Sequence, residues 1–475
     1  MTGSGAYEAV VVGAGPNGLA AAVELARAGR SVAVLEAEET VGGGTRSAEV
    51  TLPGFVHDLG SAIHPLGYAS PFFRQLPLEE YGLEWIHPPA PLAHPFDDGA
   101  AVVLERSVQV TAAALGSDAR AYERLMKGVA EDAPGLASYF VGSPRLIRHP
   151  VALAASAVRA LRPARGLAED LFEGEKARGL FAGNGAHSFL PLEKSPSALF
   201  GLVLGTLGHA FGWPFPKGGS QRIADALTSY LISLGGEVYT DVRVDSVEEV
   251  PETRTVLFDV TPRQLLDIAG KHFTGRYRRA LKDYRYGPGV FKVDFALDEP
   301  IPWKAPECLR AGTVHLGGTL EDVAASEAAV WRGEHPERPF VLLAQQSLFD
   351  PTRAPEGKHT VWAYCHVPNG STFDMTERIE DQIERFAPGF KRRILAKNAM
   401  GPADLERQNA NLVGGDINGG VADLRQLFTR PVLKLNPYAT PAKGLYICSS
   451  STPPGGGVHG MSGYLAARVA LRYLS

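Results

Sequence analysis

The sequence predicts an α/β fold in which a lobe built on a parallel sheet is interleaved along the chain with a second, α+β lobe. Three observations predict it. The chain opens on a strand, a glycine turn, a helix and a second strand between Tyr7 and Glu36; it closes on a strand, a glycine-rich loop and a helix between Gly444 and Leu474; and the stretch between them reads first as helices and then as strand-length apolar runs.

The opening is the most specific of the three. Tyr7 to Val12 is a short apolar run, Gly13-Ala-Gly15-Pro16-Asn17-Gly18 follows at once, Leu19 to Arg27 is alanine-rich and amphipathic, and Ser31 to Leu35 leads to Glu36. That order is a dinucleotide-binding, Rossmann-like fingerprint. Gly13 permits the tight turn, Gly15 lets the backbone approach a pyrophosphate, and Gly18 lets the helix pack on the strand. The free N–H groups of the helix start then face the phosphates, and Glu36, with Ala37 beside it, is placed to accept from ribose hydroxyls.

Further on, residues 111–181 read as helices with loops, and Ser195 to Pro216, which holds no Asp, Glu, Lys or Arg, as a buried helix and loop at a cavity wall. Gly289 to Ala296, Ala311 to Leu316, Phe340 to Gln345 and Thr360 to His366 have strand character, and Thr376 to Phe386 is a helix with a cap expected at Ser371 or Thr372. The parallel-sheet lobe is therefore expected from about 1–90, 212–262 and 425–475, and the second lobe from 91–211 and 263–424.

Composition narrows the function classes. A chain of 475 residues, 45% hydrophobic, can bury a large core, and its net charge of −5 gives no basic footprint for nucleic acid. Cys308, Cys365 and Cys448 lie far apart and form no CxxC pair, which disfavours dithiol chemistry and a disulfide framework and fits a reducing, cytoplasmic setting. Met1 to Ala6 carries no basic residue, so a signal peptide is not expected. The pattern leaves the oligomeric state open.

The fingerprint alone fits NAD and FAD alike. Val41-Gly-Gly43-Gly44-Thr45-Arg46-Ser47 adds a second glycine cluster that ends in an arginine, within reach of the same phosphates if the chain doubles back from Glu36. A longer cofactor with a ribityl chain needs such extra polar contact. Phe55 to His64, with Gly60 and Ser61, can approach a flat ring, and the C-terminal loop from Ser449 through Ser450 to Gly457 delivers Val458, His459 and Met461 to the start of a last helix. A helix dipole aimed at a flavin would stabilise the charge that develops on reduction, so these elements favour FAD.

The sequence resembles the FAD-dependent carotenoid oxidoreductase family, in the phytoene dehydrogenase-related branch that includes pyridine nucleotide-disulphide oxidoreductase domain-containing proteins. The passages that carry the resemblance are Val11 to Glu36, Gly42 to Pro65, Phe215 to Ser220, Tyr286 to Asp294, Ala363 to Gly370, Gly414 to Gly420 and Cys448 to Ala467. It implies a GG-doublet flavoprotein of amine oxidase-like architecture. It also implies Gly13, Gly15 and Gly18 at the pyrophosphate, Glu36 at the adenosine ribose, and Arg46 at the phosphates or the flavin edge. Val244, in a strand after Gly235-Gly236, would meet the adenine, and Gly457, Val458 and Met461 would lie against the isoalloxazine ring. Two departures weaken a carotenoid substrate: a Pro-Glu turn between Val250 and Thr255 joins two strands where the desaturases have a longer hairpin, and His459 replaces their usual proline.

A flavin leaves the protein to position a C–H bond and handle a proton. His459, at the mouth of the last helix, is the favoured acid or base, equally readable as a hydrogen-bonding residue; His64 is the second candidate, with packing or capping the commoner role. His366, Tyr364 and Asp416 are further candidates, Asp416 and Asn418 being readable as turn residues, and Lys217 either meets a phosphate or is solvated. The leading expectation is a dehydrogenase, desaturase or saturase acting on a hydrophobic, isoprenoid or acyl, substrate with oxygen or a quinone as electron acceptor. The alternatives are a flavin-dependent isomerase or hydratase and a flavoprotein with mainly an interaction role. From Ala133 to Ala168 there is no Asp or Glu, while Arg145, Arg148, Arg159, Arg162 and Arg165 punctuate an apolar background. This stretch is either an ordinary helical wall, the favoured reading, or a peripheral membrane contact.

Overall fold

The computed structural model describes residues 7–139 and 149–474. The opening strand Tyr7–Val12 is the centre of a five-stranded parallel sheet ordered Leu445–Ile447, Thr253–Phe258, Tyr7–Val12, Val32–Leu35, Glu237–Tyr239. Its central strands are apolar runs because helices and loops cover both faces. On one face the helix Pro16–Arg27 lies between Gln221–Ser233 and the last helix, Met461–Leu474, in a core of Ala, Val and Leu. Small residues set that helix crossing: a Cβ on Gly463 would lie 1.8 Å from the Asn17 carbonyl oxygen.

The second lobe carries a seven-stranded sheet ordered Ile394–Met400, Gly289–Leu297, His359–Val367, Val341–Ala344, Ala311–Leu316, Ala90–Pro95, Ala101–Leu104. All of its pairings are antiparallel except that between Ala311–Leu316 and Ala90–Pro95. Helices from residues 108–210, together with Leu320–Trp331, cover one face and bury Phe172, Phe181 and Phe340. Thr376–Phe386 packs on the other, with Ile379, Ile383 and Phe386 turned inward. The loop that carries Gly60 meets the second sheet, where the Gly60 carbonyl accepts from Trp362 Nε1 at 3.0 Å.

Three local expectations are corrected, and the basic stretch is placed. Val244 lies in a loop, because the strand that should carry it ends at Tyr239 and the Val242 N–H turns to the Glu36 carbonyl at 2.8 Å. Only one strand, Thr253–Phe258, borders the Pro-Glu turn; a single 3-10 turn, Val247–Glu249, precedes it. The helix Thr376–Phe386 is capped at neither Ser371 nor Thr372: Ser371 Oγ accepts the Phe373 N–H, and Asp374 Oδ1 accepts the Thr376 N–H at 2.8 Å. The basic stretch is two short helices, Pro150–Ala160 and Ala164–Leu171, broken before Pro163. Arg162 pairs with Asp170, and Arg165 with Glu169 and Glu193 at 2.9 and 3.0 Å, at the surface, as in the favoured reading of an ordinary helical wall. Arg145 and Arg148 lie outside the described residues. Among the described residues no helix is long and apolar enough to cross a membrane.

Candidate active site

A cavity of about 620 Å³ runs from the carboxyl ends of the parallel strands, between the lobes, to the face of the second sheet. Its first half is the sequence fingerprint folded. Gly13, Gly15, Pro16, Asn17, Glu36 and Ala37 line it. Gly13 has φ of +100°, which L side chains rarely adopt, and a Cβ on Gly18 would lie 2.0 Å from the Gly13 carbonyl oxygen. Gly18 therefore does not line the cavity; it lets the helix sit on the turn. Glu36 is fixed by two backbone donors, Ala14 at 2.7 Å on Oε2 and Glu38 at 3.1 Å on Oε1.

The second glycine cluster does double back onto the first, and a Cβ on Gly43 would lie 3.2 Å from the Gly15 Cα. Gly43, Gly44, Arg46, Gly60 and Ser61 all line the cavity. Gly60 stacks under Gly44, where a Cβ would meet the Gly44 carbonyl oxygen at 2.4 Å, while a Cβ on Gly44 would meet nothing within 4 Å. Thr45 points inward, its Oγ1 donating to the Gly42 carbonyl at 2.8 Å. Arg46 donates to the carbonyls of Gly43 and Gln408 at 3.2 and 2.8 Å along the cavity edge. Val244, Ser450, Gly457 and Val458 also line the cavity, whereas Met461 packs in the helix core.

The two histidines singled out from the sequence part company. His64 lines the cavity, its Nε2 hydrogen-bonded to Ser220 Oγ at 2.8 Å, and burial pushes its pKa down to about 4. His459 does not line it: its Nδ1 accepts the Met461 N–H at 3.0 Å and its carbonyl accepts from Ser70 Oγ. Burial lowers its pKa to about 4. It caps the last helix, which is the hydrogen-bonding one of the two roles read for it. His366 sits behind the wall on Glu327, 2.8 Å away, and Asp416 accepts the Gly287 and Asn418 N–H groups as a turn residue. Lys217 pairs with Glu84 at the surface.

Tyr364, a candidate from the sequence, and residues not singled out there complete the second half. Phe189, Phe200, Leu204, Trp213, Leu342 and Trp362 form an apolar wall into which His187, Lys292 and Tyr364 also reach. His187 Nε2 is hydrogen-bonded to His315 Nε2 at 3.0 Å, and Trp213 meets the His187 ring edge-on. Burial, with the nearby His366, pushes His187 down to about 3, so it stands neutral. Lys292 is paired with Asp294, both on Gly289–Leu297 and both buried, with His57 Nδ1 3.7 Å from the second Asp294 oxygen. Asp58, below them, accepts from Ser47 Oγ, the Ser220 N–H and Arg353 Nη2 at 2.7, 2.7 and 2.6 Å; burial raises its pKa, but Arg353 and these bonds outweigh it and leave it lowered.

Removing one member of the Lys292–Asp294 pair leaves a buried charge uncompensated. Asp294→Leu is expected to destabilise the protein by about 3–5 kcal/mol, whereas the double variant Lys292→Met/Asp294→Leu recovers most of the loss. Thermal melts of the two variants check this; equal destabilisation by both would contradict it.

A parallel sheet with a glycine cradle at its carboxyl edge, opening into an apolar compartment of a second sheet, is the layout of a dinucleotide-binding fold with room for an apolar ligand beside the cradle. A family described as NAD(P)-binding Rossmann-like domain matches residues 11–76. Homologues include pyridine nucleotide-disulfide oxidoreductase domain-containing protein 2 of Rattus norvegicus, 28% identical over 98% of this chain and 94% of the relative. They also include a phytoene desaturase (neurosporene-forming) of Rhodobacter capsulatus, 24% identical over 98% and 94%. Among solved structures the fold is that of an oxidoreductase from Methanosarcina mazei, TM-score 0.65 at 16% identity over 98% and 99% of the two chains. Cyclohexylamine oxidase from Brevibacterium oxydans shares it, TM-score 0.57 at 15% identity over 99% of both.

The resemblance to the FAD-dependent oxidoreductases is thereby shown, and FAD is the cofactor these relatives support. The residues present fit it. Asn17 Oδ1 is buried, lines the cavity and has no partner among the described residues, and Gly15 and Gly44 leave the cradle open where side chains would fill it. Glu36 would hold the ribose and the start of Pro16–Arg27 the pyrophosphate, with Gly60, Ser61, Gly457 and Val458 toward the ring.

Proposed function

We propose that the protein is an FAD-dependent dehydrogenase or desaturase, or a saturase in the reverse direction, acting on a hydrophobic isoprenoid or acyl substrate. The observation that carries this reading is the apolar wall of Phe189, Phe200, Leu204, Trp213, Leu342 and Trp362, continuous with the dinucleotide cradle. Bound FAD supplies the hydride acceptor. The wall excludes water and holds an alkyl chain by burial of apolar surface. His187, neutral and only weakly basic in its buried place, relays the proton that leaves the neighbouring carbon without holding it, and His315 keeps its ring in place. Lys292, neutralised by Asp294, adds a polar point at the junction without leaving a net charge among apolar groups. Oxygen or a quinone takes the electrons on.

The test is anaerobic mixing of the FAD-loaded protein with a panel of prenyl and acyl compounds and, as a contrast, primary amines. Loss of the flavin's visible absorption is expected with a member of the first group and not with the amines. His187→Gln is expected to slow that loss by about 10²-fold or more while leaving FAD bound. Bleaching by amines alone would refute the substrate class, and an unchanged rate in the variant would refute the role of His187.

A further inference from the structure

Asp259, the residue after the strand Thr253–Phe258, stands in the middle of the cradle. All three fingerprint glycines make room for it. A Cβ on Gly13 would lie 3.0 Å from its carbonyl oxygen, one on Gly15 2.8 Å from its Oδ2, and one on Gly18 3.2 Å from its Cβ. Its Oδ2 accepts the Gly18 N–H at 2.8 Å. Asn411 pins the backbone on either side, donating from Nδ2 to the Asp259 carbonyl at 3.0 Å and accepting the Thr261 N–H on Oδ1 at 2.8 Å. Asp259 is buried and lines the cavity, and its Oδ1 has no hydrogen bond among the described residues.

The charge that acts on this acid, that of Glu36, is of its own sign, while Arg46 and Arg243 line the same cavity from other segments. Glu36, at the end of Val32–Leu35, accepts from Ala14 in the same turn, and Cys448, after Leu445–Ile447, also faces Asp259. Asp267, on the helix Pro262–Ala269, lines the same cavity. No Lys, Arg or His is hydrogen-bonded or ion-paired to Asp259 among the described residues. A cofactor pyrophosphate placed at this helix start would bring further negative charge against it, and an ionised Asp259 would oppose binding.

We propose that Asp259 is a cofactor-binding residue that acts in its protonated form, presenting an O–H to the phosphates, so that binding of FAD takes up one proton from solvent and release returns it. The inference rests on the FAD reading. Burial, and the Glu36 carboxylate beyond the opposing Gly18 N–H, push the Asp259 carboxyl up to about 7, so the protonated form is accessible near neutral pH before the cofactor arrives. Buried cysteine Cys448 is pushed well above its ordinary value and stays a thiol in the same range. The sign follows from linkage. A group whose pKa rises on binding makes affinity fall as pH rises through its value in the free protein.

The experiment measures FAD released from the holoprotein by ultrafiltration at pH values from about 6 to 9, for the wild type and for Asp259→Asn, whose amide imitates the protonated acid. In the wild type the FAD dissociation constant is expected to rise above about pH 7 with a slope approaching tenfold per unit. In the variant it should stay flat, and at the alkaline end the variant should hold FAD more tightly than the wild type. Calorimetric titration of stripped wild-type protein with FAD, in two buffers of different ionisation enthalpy, should report proton uptake, and it stands alone should the variant fail to fold. A flat wild-type profile, no proton uptake, or an Asn variant as pH-dependent as the wild type would overturn the proposal. Absence of FAD binding at every pH in both proteins would instead overturn the FAD reading on which it rests.

Discussion

Gly15→Val yields protein without FAD. Gly15 is where the turn, the Gly43 loop and Asp259 converge, and a Cβ there already lies 2.8 Å from Asp259 Oδ2 before any cofactor is bound. The two further methyl groups of valine would occupy the space above the helix start into which the cavity opens. The expected loss in affinity is about a thousandfold or more, roughly 4 kcal/mol, enough to leave the purified variant colourless. Absorption spectra of wild type and variant, purified side by side and then supplemented with excess FAD, check it. Retention of the wild-type colour would place the cofactor elsewhere.

Mild acid should unfold the protein well above the range in which carboxylates titrate. Burial lowers His64, His94, His209 and His459 to about 4 and His57 and His187 to about 3. The unfolded chain takes up protons near pH 6.5 and the folded one does not, so stability is full above that value and is lost as pH falls toward 4. Each histidine withdraws up to about 1.4 kcal/mol per pH unit below 6.5, and six together withdraw on the order of 10 kcal/mol by about pH 5, comparable with the net stability of a domain. Asp259, raised to about 7, and the buried carboxyls of Asp294, Asp416 and Glu24, also raised, work in the opposite sense and offset part of this loss. Thermal melts between about pH 8 and pH 5 should show a steep fall below pH 6.5; a flat profile would contradict the neutral, buried state of these rings.

The parts of the site legible in the sequence are those whose chemistry is local. Gly13, Gly15, Gly18 and Glu36 announce a turn, a helix start and a strand end within one short passage, and each occupies the place its spacing implies. Gly43, Gly44, Gly60 and Ser61 were legible for the same reason, being loops whose glycines have no other use. His187, Lys292 and Asp259 were not. His187 matters because Ala311–Leu316 brings His315 to it across the lobe, and Asp259 because the strand Thr253–Phe258 pairs beside Tyr7–Val12; neither pairing leaves a trace near the residue itself. His459 shows why the sequence left two roles open: a histidine two residues before a helix start has an unsatisfied N–H within reach, and here it caps it. In the basic stretch the acidic partners of Arg162 and Arg165, namely Asp170, Glu169 and Glu193, lie beyond the window in which it looked purely basic.

The central claim is that the cradle holds FAD, and cofactor extraction tests it most directly. The protein is purified, precipitated with acid, and the supernatant separated by chromatography with mass detection. One FAD per chain, released without proteolysis, is the expected result; Cys448, the one cysteine near the cradle, is buried at a strand end and not placed for a covalent bond. NAD or NADP in place of FAD, or colour that stays with the pellet, would contradict the account.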